Sequence, residues 1–469
     1  MRKIILLFVL ILTVNIVKAE WEPDVRLTYD SATSQTSLNR DQSIAAQGNF
    51  VHVVWQDKRD GNLEIYYKRS TDQGLTWGDD VRITNDTADT KNPGIALSDN
   101  NVYIIFDDER EGNREIYFKK STDYGNTWGE DVRLTFDNSA SWCPSIEVSN
   151  SGVHVVWADE RSGYQGDIYY KKSTDGGDSW SNDIALCNEI GGSYNVSLSV
   201  YNSNVNVVWN DTRSSSGQIF YIRSTDGGNS WTEDINISYL AALSWYPYIK
   251  SNPKTNDLHL VWSQNIIGKL QIFYQHSTNN GDFWIDDVCL RNDKENSGWA
   301  ALDVDNSNVH VVWQDSRSGN DEIFYRKSTD NGKTWSDELL LTDNMVTMSL
   351  RPYIAISGSV VHVLWCDFRD GPGGEIYYKR NPTGNPVGVD EEYKKDFFEI
   401  YPNPADDFIL LDVDGKQFGK IQVFSVLGKK VLETEIVDRI DVSMLHSGMY
   451  YFMITSGNNI VRKKFVIMR

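Results

Sequence analysis

Eight basic and aromatic residues occupy equivalent positions of a repeated pattern, just before a short apolar stretch that opens each repeat. The basic residues are Arg40, Lys91 and Arg351, and the aromatic ones are Trp142, Tyr194, Trp245, Tyr246 and Trp299. Cationic side chains form charge-assisted hydrogen bonds to carboxylates, and aromatic rings pack against the apolar faces of sugars. The chain has a net charge of −21, so basic residues gathered at one place favour an anionic ligand. The set predicts a site for an acidic carbohydrate, such as a sialic or uronic acid. The alternative remains open that the basic side chains pair with neighbouring carboxylates and that the aromatic ones only cover the rim of a central channel in the fold.

The repeated pattern is Val-x-Val-Val-Trp-x-Asp-x-Arg, first seen from Val51, and it recurs about every 51–53 residues. Its large aromatic residue stands at Trp55, Phe106, Trp157, Trp209, Trp262, Trp313 and Trp365. Each repeat offers four short β-type runs separated by turn residues. Four-stranded units of this length are typical of a β-propeller in which each repeat is one blade. The sequence therefore predicts an all-β fold with seven blades over residues 20–381.

The seventh repeat ends without a fourth strand, and a matching segment stands at the other end of the chain. Trp21–Thr28 corresponds in residue type to Trp77–Thr84 of the first full repeat. An N-terminal strand that completes the last blade would close the ring and remove two exposed sheet edges. We therefore expect the propeller to be closed by this exchange.

A second element, Ser-Thr-Asp-x-Gly-x-Thr/Ser-Trp, follows the aromatic run in most repeats. Five copies stand at 70–77, 121–128, 173–180, 224–231 and 328–335, and a degraded copy stands at 277–284. The Asp carboxylate can accept backbone N–H groups, and Gly can adopt positive φ, so the element is a turn. With these boxes the chain resembles the Asp-box (bacterial neuraminidase repeat) sialidase-like β-propeller superfamily. The resemblance implies that the box joins the third and fourth strands on the face opposite the active site.

The Asp/Arg pair that follows the large aromatic residue is present in six repeats and absent from the fifth, which reads Ser263-Gln264-Asn265. Because the pair is repeated without specialisation, we interpret it as an ion pair that orders a loop rather than as a ligand contact. The pairs are Asp57/Arg59, Asp108/Arg110, Asp159/Arg161, Asp211/Arg213, Asp315/Arg317 and Asp367/Arg369.

Catalysis by the sialidase route would need groups that the resemblance implies but the sequence only partly supplies. Family sialidases use an arginine triad, a tyrosine nucleophile paired with a glutamate, and an aspartic acid as general acid. Their Phe/Tyr-Arg-Ile-Pro string is absent, and they usually have six blades. Tyr353 is a weak candidate for the nucleophile, and Asp57 or Asp41 for the acid. An active exo-sialidase or other glycoside hydrolase, a non-catalytic glycan-binding propeller and a protein-binding adhesion module all remain open.

The two ends of the chain indicate export. Residues 1–19 combine basic residues, an apolar run and a Val-Lys-Ala ending, which is typical of a secretory signal peptide. Residues 397–469, after a linker at 382–396, contain Tyr-Pro-Asn-Pro at 401–404 and Val-Leu-Gly-Lys-Lys-Val at 426–431. This module resembles the C-terminal sorting domain of the type IX secretion system. The resemblance implies a small immunoglobulin-like sandwich, handling by that machinery, and passage through the periplasm of a Gram-negative bacterium to release or surface attachment.

Composition narrows the remaining classes. The acidic body argues against nucleic-acid binding, which requires clustered Lys and Arg. No apolar run beyond the signal is long enough for a membrane-spanning helix. The four cysteines show no metal-ligand spacing, so we expect neither a metal nor a cofactor. We expect a monomer whose partners are a glycan or glycoprotein and the secretion machinery.

Overall fold

A computed structural model describes residues 21–39, 41–163, 166–187, 190–213, 217–238, 243–266, 268–285, 287–291, 295–342, 346–384, 398–401, 405–413, 420–425, 430–435, 439–456 and 459–467. The predicted signal peptide lies outside these residues. The described residues form strands, turns and bends, and none of them belongs to a helix that could cross a membrane. The chain divides into two units, Met1–Val387 and Gly388–Arg469.

The first unit contains twenty-nine strands. In chain order they are β1 (Val25–Arg26), β2 (Ser34–Gln35), β3 (Ile44–Gln47), β4 (Phe50–Asp57), β5 (Glu64–Ser70), β6 (Val81–Arg82), β7 (Thr90–Ser98), β8 (Asn101–Asp108), β9 (Glu115–Ser121), β10 (Val132–Arg133), β11 (Ser141–Ser149), β12 (Gly152–Asp159), β13 (Asp167–Ser173), β14 (Ile184–Ala185), β15 (Ser193–Tyr201), β16 (Asn204–Asp211), β17 (Gln218–Ser224), β18 (Ile235–Asn236), β19 (Ser244–Ser251), β20 (Leu258–Ile266), β21 (Lys269–Ser277), β22 (Val288–Cys289), β23 (Ser297–Asp305), β24 (Asn308–Asp315), β25 (Glu322–Ser328), β26 (Leu339–Leu340), β27 (Ser349–Ser357), β28 (Val360–Asp367) and β29 (Glu375–Asn381).

These strands form seven antiparallel sheets, each running from an innermost strand through two long strands to a two-residue outer strand. The innermost strands β3, β7, β11, β15, β19, β23 and β27 contact one another in sequence, and β27 returns to β3. The ring is therefore closed around a central channel. The β-branched and aromatic residues of the long strands fill the space between neighbouring sheets, where Trp157 and Trp209 are fully buried. The predicted seven-bladed propeller is confirmed.

The N-terminal segment supplies the fourth strand of the seventh blade. Strand β1 pairs with β29, with Val25 opposite Tyr378 and Arg26 opposite Tyr377. Leu27 N donates to Ile376 O at 2.8 Å. The Trp21 ring meets Tyr325 of the sixth blade edge-on at 5.1 Å between centroids. The sheet edge of β29 is thereby covered, and the first and last parts of the propeller are joined.

The Ser-Thr-Asp turns lie at the end of each third strand and link neighbouring blades. In the second blade, the Asp123 carboxylate accepts Thr127 N at 2.8 Å and Thr127 Oγ1 at 2.7 Å. The Trp128 ring packs edge-on against Tyr67 of the first blade at 5.0 Å. The same edge-on contact to the preceding blade recurs for Trp77, Trp180, Trp231, Trp284 and Trp335, and Trp21 provides the seventh. The Trp of each turn thus helps to hold neighbouring blades together.

The second unit contains two antiparallel sheets around a small core. One sheet has β30 (Phe398–Tyr401), β31 (Phe408–Val413) and β34 (Arg439–Asp441), and the other has β32 (Lys420–Ser425), β33 (Lys430–Glu435), β35 (Gly448–Ser456) and β36 (Asn459–Ile467). Ile409 and Ile440 of the first sheet share this core with Ile421 and Val423 of the second. Two sheets that share one buried core form a sandwich.

Candidate functional site

Each innermost strand of blades two to seven is interrupted by a β-bulge at the same end. The register shifts between Trp142 and Ser145 in the third blade and at the matching place in the other five. One bulged residue in each blade has a left-handed backbone, with φ of 53–58°; these are Asn92, Cys143, Asn195, Tyr246, Trp299 and Arg351. Bulges re-aim side chains and are common next to binding sites. The predicted site residues of blades two to seven therefore stand at the end of the propeller opposite the Ser-Thr-Asp turns, at the channel mouth.

The first blade departs from the pattern, and the predicted equivalence of Arg40 is corrected there. Gln35 pairs with Gln56 as Lys91 pairs with Asp107, so Gln35 occupies the corresponding position. Nine positions separate Gln35 from Ile44, where four separate Lys91 from Ile95. The additional residues loop out between β2 and β3. Counting back from the apolar stretch therefore does not reach the residue that pairs with Gln56, which is Gln35; Arg40 lies outside the described residues.

The bulged residues of blades five, six and seven form a continuous row. The Tyr246 and Trp299 rings stack at 4.3 Å with planes 24° apart. The Arg351 guanidinium lies 5.7 Å from the centroid of Trp299. Arg351 Nη1 also reaches Gln35 Oε1 at 3.5 Å, and its backbone N donates to Gln314 Oε1 at 3.0 Å. Among the described residues Arg351 has no carboxylate partner, so the row offers an uncompensated cation beside partly exposed aromatic rings.

The other predicted aromatic residues lie on blades three, four and five, next to this row along the rim. The Trp142 and Tyr194 rings stack at 6.5 Å with planes 23° apart. Trp245 stands beside Gly217, where an added Cβ would come 3.4 Å from Trp245 Nε1. All three are partly exposed. Burial raises the pKa of the Tyr194 hydroxyl, which therefore stays protonated and can donate a hydrogen bond.

Lys91 does not share the character of Arg351. Its Nζ lies 3.0 Å from Asp89 and 3.1 Å from Glu109. Although Arg114 shares Glu109 at 3.1 Å, the two carboxylates neutralise Lys91, which is the arrangement that the sequence left open as an alternative. The predicted three-residue basic arc is therefore reduced, among the described residues, to Arg351.

Sequence reasoning missed a buried carboxylate at the same rim. Asp107 is 1% exposed, and its Oδ1 accepts Asn92 Nδ2 at 2.7 Å. Burial raises the pKa of Asp107 to about 6, against the opposing effects of the Asn92 hydrogen bond and of Arg114 and Lys91. The signal lay in the residue after the large aromatic, where the other repeats carry Gln56, Ala158, Asn210, Ser263, Gln314 and Cys366.

The candidate catalytic residues are all buried. Asp57 is 0% exposed and accepts hydrogen bonds from Arg59, Trp55 and Ser34 at 2.6–2.9 Å. Burial alone would raise the pKa of Asp57, but these hydrogen bonds hold that pKa below its usual value. The carboxylate is thus kept ionised, as a scaffold group would be. Tyr353 is 1% exposed, and its hydroxyl donates to backbone carbonyls of Ser37 and Asn39.

Asp41 enters the channel from the loop of the first blade. Its Oδ2 fills the notch above Gly94, where an added Cβ would stand 1.3 Å away. Its Oδ1 accepts Gln42 N at 2.9 Å and Ile146 N at 3.4 Å. Burial raises the pKa of Asp41 well above its usual value, against these hydrogen bonds. Asp41 therefore joins three blades inside the channel.

Charged residues also cross the channel below the mouth. Lys250 of the fifth blade forms an ion pair with Glu147 of the third. Asp303 of the sixth blade accepts the backbone N of Ile356 at 2.7 Å, and burial raises its pKa to about 6, against the lowering effect of Lys250. These residues share one slot of the innermost strand, which other blades fill with Ala45, Ala96, Ser199 and Ala355. With Asp41, they link blades one, three, five, six and seven through polar contacts.

One protein family matches the C-terminal unit. Residues 399–468 fit the family described as Secretion system C-terminal sorting domain, which confirms the prediction for that module. The match indicates that the protein is secreted or reaches the outer cell surface, and that secretion machinery handles it. No curated protein matches the sequence.

Solved structures match the propeller. The crystal structure of the polysaccharide lyase Uly1 has a TM-score of 0.54 and 9% identity, and the match covers 77% of this chain and 99% of that chain. A protein of unknown function from Dyadobacter fermentans has a TM-score of 0.47 and 14% identity, with 78% and 99% covered. The Hadza microbial sialidase Hz136 has a TM-score of 0.40 and 14% identity, with 70% and 73% covered. At 9% identity the likeness to the Uly1 structure shows the fold alone, and the predicted β-propeller is confirmed at that level.

Proposed function

We propose that this secreted or surface-displayed propeller binds carbohydrate at its channel mouth and that its ligand is an acidic glycan. The observation that carries the proposal is the row formed by Tyr246, Trp299 and Arg351 across three blades. It ends in a guanidinium that no carboxylate of the described residues neutralises, in a protein whose net charge is −21. A sugar carboxylate would supply the missing partner.

The row has the chemistry that such a ligand requires. A guanidinium can hold a carboxylate through two parallel hydrogen bonds, which an ammonium group cannot do. The partly exposed rings beside it can pack against the apolar face of the same or the next sugar. The row crosses three neighbouring blades, so an extended glycan chain can lie along it at the rim. The propeller of the polysaccharide lyase Uly1 shares this fold, which supports a carbohydrate as the ligand class here.

Binding is favoured over hydrolysis by the burial of the candidate catalytic groups. Asp57, Asp41 and Tyr353 are each at most 2% exposed, and the Asp57 carboxylate and the Tyr353 hydroxyl are held by hydrogen bonds to the scaffold. A general acid or nucleophile must reach the bond that reacts. A protein ligand is the remaining alternative, and the binding experiment distinguishes it.

The test measures the affinity of the full chain for polygalacturonate, alginate, hyaluronan and polysialic acid oligosaccharides, with neutral glucans as comparison. Arg351→Ala should weaken binding of the acidic ligand by about 1.5–3 kcal/mol, the range for hydrogen bonds to charged groups. Arg351→Lys should give an intermediate loss because the charge is kept and the bidentate geometry is lost. Lys333→Ala removes an exposed cation in a Ser-Thr-Asp turn and should have no effect. Full affinity in Arg351→Ala, or no binding to any glycan, would contradict the proposal.

The route to the cell surface is proposed from the sorting domain. We infer that removing residues 397–469 leaves a folded propeller that accumulates inside the outer membrane. Fractionation of the native host, with immunodetection of the propeller in periplasm, outer membrane and medium, measures this. A variant with Met444→Ala, an exposed side chain of the sorting domain, is the matched control for expression. Unchanged export of the truncated chain would contradict the inference.

A further inference from the structure

A second concave site lies between the first and second blades, at the end of the propeller that carries the Ser-Thr-Asp turns. It encloses about 270 Å³ and is lined by Gln47, Phe50, His52, Asp99 and Tyr124, among others. Gln47 ends the innermost strand of the first blade, and Asp99 follows that of the second. The channel mouth is at the opposite end of these strands. The cavity is thus separate from the site proposed above.

Two aromatic residues in this cavity occupy slots that no other blade fills with an aromatic. The slot of Phe50 holds Asn101, Gly152, Asn204, Asp257, Asn308 and Val360 elsewhere, and the slot of Tyr124 holds Gln73, Gly176, Gly227, Asn280 and Asn331. The two rings stack at 4.5 Å with planes 12° apart. In a repeat protein, a position that differs in one repeat is free of the shared scaffold requirement. The pair is therefore a specialisation of this interblade surface.

Tyr124 adopts a left-handed backbone conformation that is unfavourable for a bulky side chain. Its φ is 60°, a region that favours Gly and Asn and that costs a bulky residue of order 1 kcal/mol or more. The side chain remains 40% exposed, so burial only partly offsets that strain. The stack on Phe50 covers only part of the Tyr124 ring, and contact with a ligand would cover the rest.

The polar lining suits an uncharged ligand with hydroxyl groups. Gln47 and Asp99 are exposed, and their side chains make no hydrogen bond within the part of the chain that the structure describes. Burial lowers the pKa of His52 to about 3, so His52 is neutral, and Asp99 is the charged group among the lining residues. Arg69, nearby, is engaged with Tyr124 O and Asn126 Oδ1. An anionic sugar would be repelled by Asp99, whereas the hydroxyls of a neutral one can donate to it.

We propose that this cavity is a second carbohydrate-binding site, which takes a neutral sugar unit against the Phe50–Tyr124 pair with Gln47 and Asp99 as hydrogen-bond partners. Its existence does not depend on the acidic-glycan site. Two sites at opposite ends of the propeller would let one molecule hold two glycan chains.

The test uses calorimetric titration of the full chain with cellohexaose, mannohexaose and arabinohexaose. We expect at least one of them to bind, and Tyr124→Asn and Phe50→Asn to weaken that binding about tenfold. These substitutions copy residues that other blades hold in the same slots, so both variants should fold, and Tyr124→Asn should melt no lower than the parent. Arg351→Ala should leave the affinity for the neutral hexasaccharide unchanged, which separates this site from the channel mouth.

Three outcomes overturn the proposal. None of the three hexasaccharides binds, or Tyr124→Asn and Phe50→Asn bind them with parental affinity, or Tyr124→Asn lowers the melting temperature by more than a few degrees. The last result would show that the aromatic pair serves the fold. Failure of the Arg351 experiment alone would leave this site standing, since a different residue set and a different ligand charge are measured.

Discussion

The two ends of the propeller are built from the same seven repeats but differ in how much their contacts vary. At the end with the Ser-Thr-Asp turns, one Trp of each blade meets an aromatic ring of the preceding blade edge-on, with ring centroids 4.8–5.2 Å apart. These residues are Trp21, Trp77, Trp128, Trp180, Trp231, Trp284 and Trp335. At the channel mouth, the bulged residues are Asn, Cys, Asn, Tyr, Trp and Arg. Uniform contacts hold the ring together, and variable positions, which include the Phe50–Tyr124 pair at the turn end, are available for recognition. The difference separates scaffold from candidate site without reference to any other protein.

The largest expected effect on stability comes from removing the N-terminal segment that closes the ring at the end with uniform contacts. Deleting Trp21–Thr28 removes the Trp21 contact, the buried Leu27 and the pairing of β1 with β29. Loss of one partly buried Trp and one buried Leu costs about 5 kcal/mol or more, and the exposed edge of β29 favours aggregation. Calorimetry should show a large drop in melting temperature. Trp21→Phe, which keeps an aromatic ring against Tyr325, should lose less than half as much. An unchanged melting curve for the deletion would show that the ring does not depend on this segment.

The next effect tests the repeated ion pair against the blade that lacks it. Arg161 binds both oxygens of the buried Asp159 at 2.6–2.8 Å and covers the Tyr169 ring. Arg161→Ile leaves that carboxylate unpaired, which costs about 3–5 kcal/mol. In the fifth blade, Gln264 stands in the position of Asp159 and accepts a hydrogen bond from Trp262 Nε1 at 3.0 Å. Ile266 stands there in the position of Arg161. The double variant Asp159→Gln/Arg161→Ile should therefore recover most of the loss in urea unfolding. Equal instability of the single and double variants would contradict this account.

A smaller effect concerns the buried carboxylate at the variable end. The pKa of Asp107 is about 6 in the folded chain and about 3.9 in an unfolded one. Between these values the folded state keeps a proton that the unfolded state has lost, so this residue makes stability fall as pH rises from about 4 to 6. The total is at most about 3 kcal/mol, at 1.36 kcal/mol per pKa unit. Asp107→Asn removes the titration and keeps an acceptor for Asn92.

Urea unfolding at pH 4, 5, 6, 7 and 8 measures this contribution. The unfolding free energy of Asp107→Asn minus that of the parent should increase from pH 4 to pH 6 and stay level above it. The groups that face the carboxylate, Asn92, Arg114, Lys91 and Glu109, are the same in both proteins and cancel in the difference. A difference independent of pH would show that the carboxylate is not buried as described.

The smallest effect separates recognition from stability at one residue. Arg351 has φ of 53°, which glycine adopts without a steric penalty. Arg351→Gly should therefore raise the unfolding free energy by up to about 1 kcal/mol, while it abolishes the preference for acidic glycans. A stability loss of several kcal/mol in this variant would place Arg351 with the scaffold rather than with the site.

The sequence alone determined the repeat length, the number of blades and the segment that closes the ring. Each of these rests on residues that make the same contact in successive blades, such as the Trp of the turn in seven and the Asp/Arg pair in six, and a repeated contact leaves a repeated pattern in the sequence. The separate C-terminal module was equally visible, because its motifs stand in order along 397–469.

The tertiary structure alone decided which rim residues lie together and which of them are neutralised by neighbouring carboxylates. Gln35 stands where the sequence suggested Arg40, because the first blade has additional residues between β2 and β3. An insertion among polar residues does not interrupt any hydrophobic pattern, so the sequence gives no sign of it. Lys91 is neutralised by Asp89 and by Glu109, which follows the neighbouring strand, and the burial that shifts the pKa of Asp107 comes from packing around the rim. Contacts made once, between strands that differ from blade to blade, carry no repeated signal. That is why the scaffold could be read from the sequence and the site required the folded molecule.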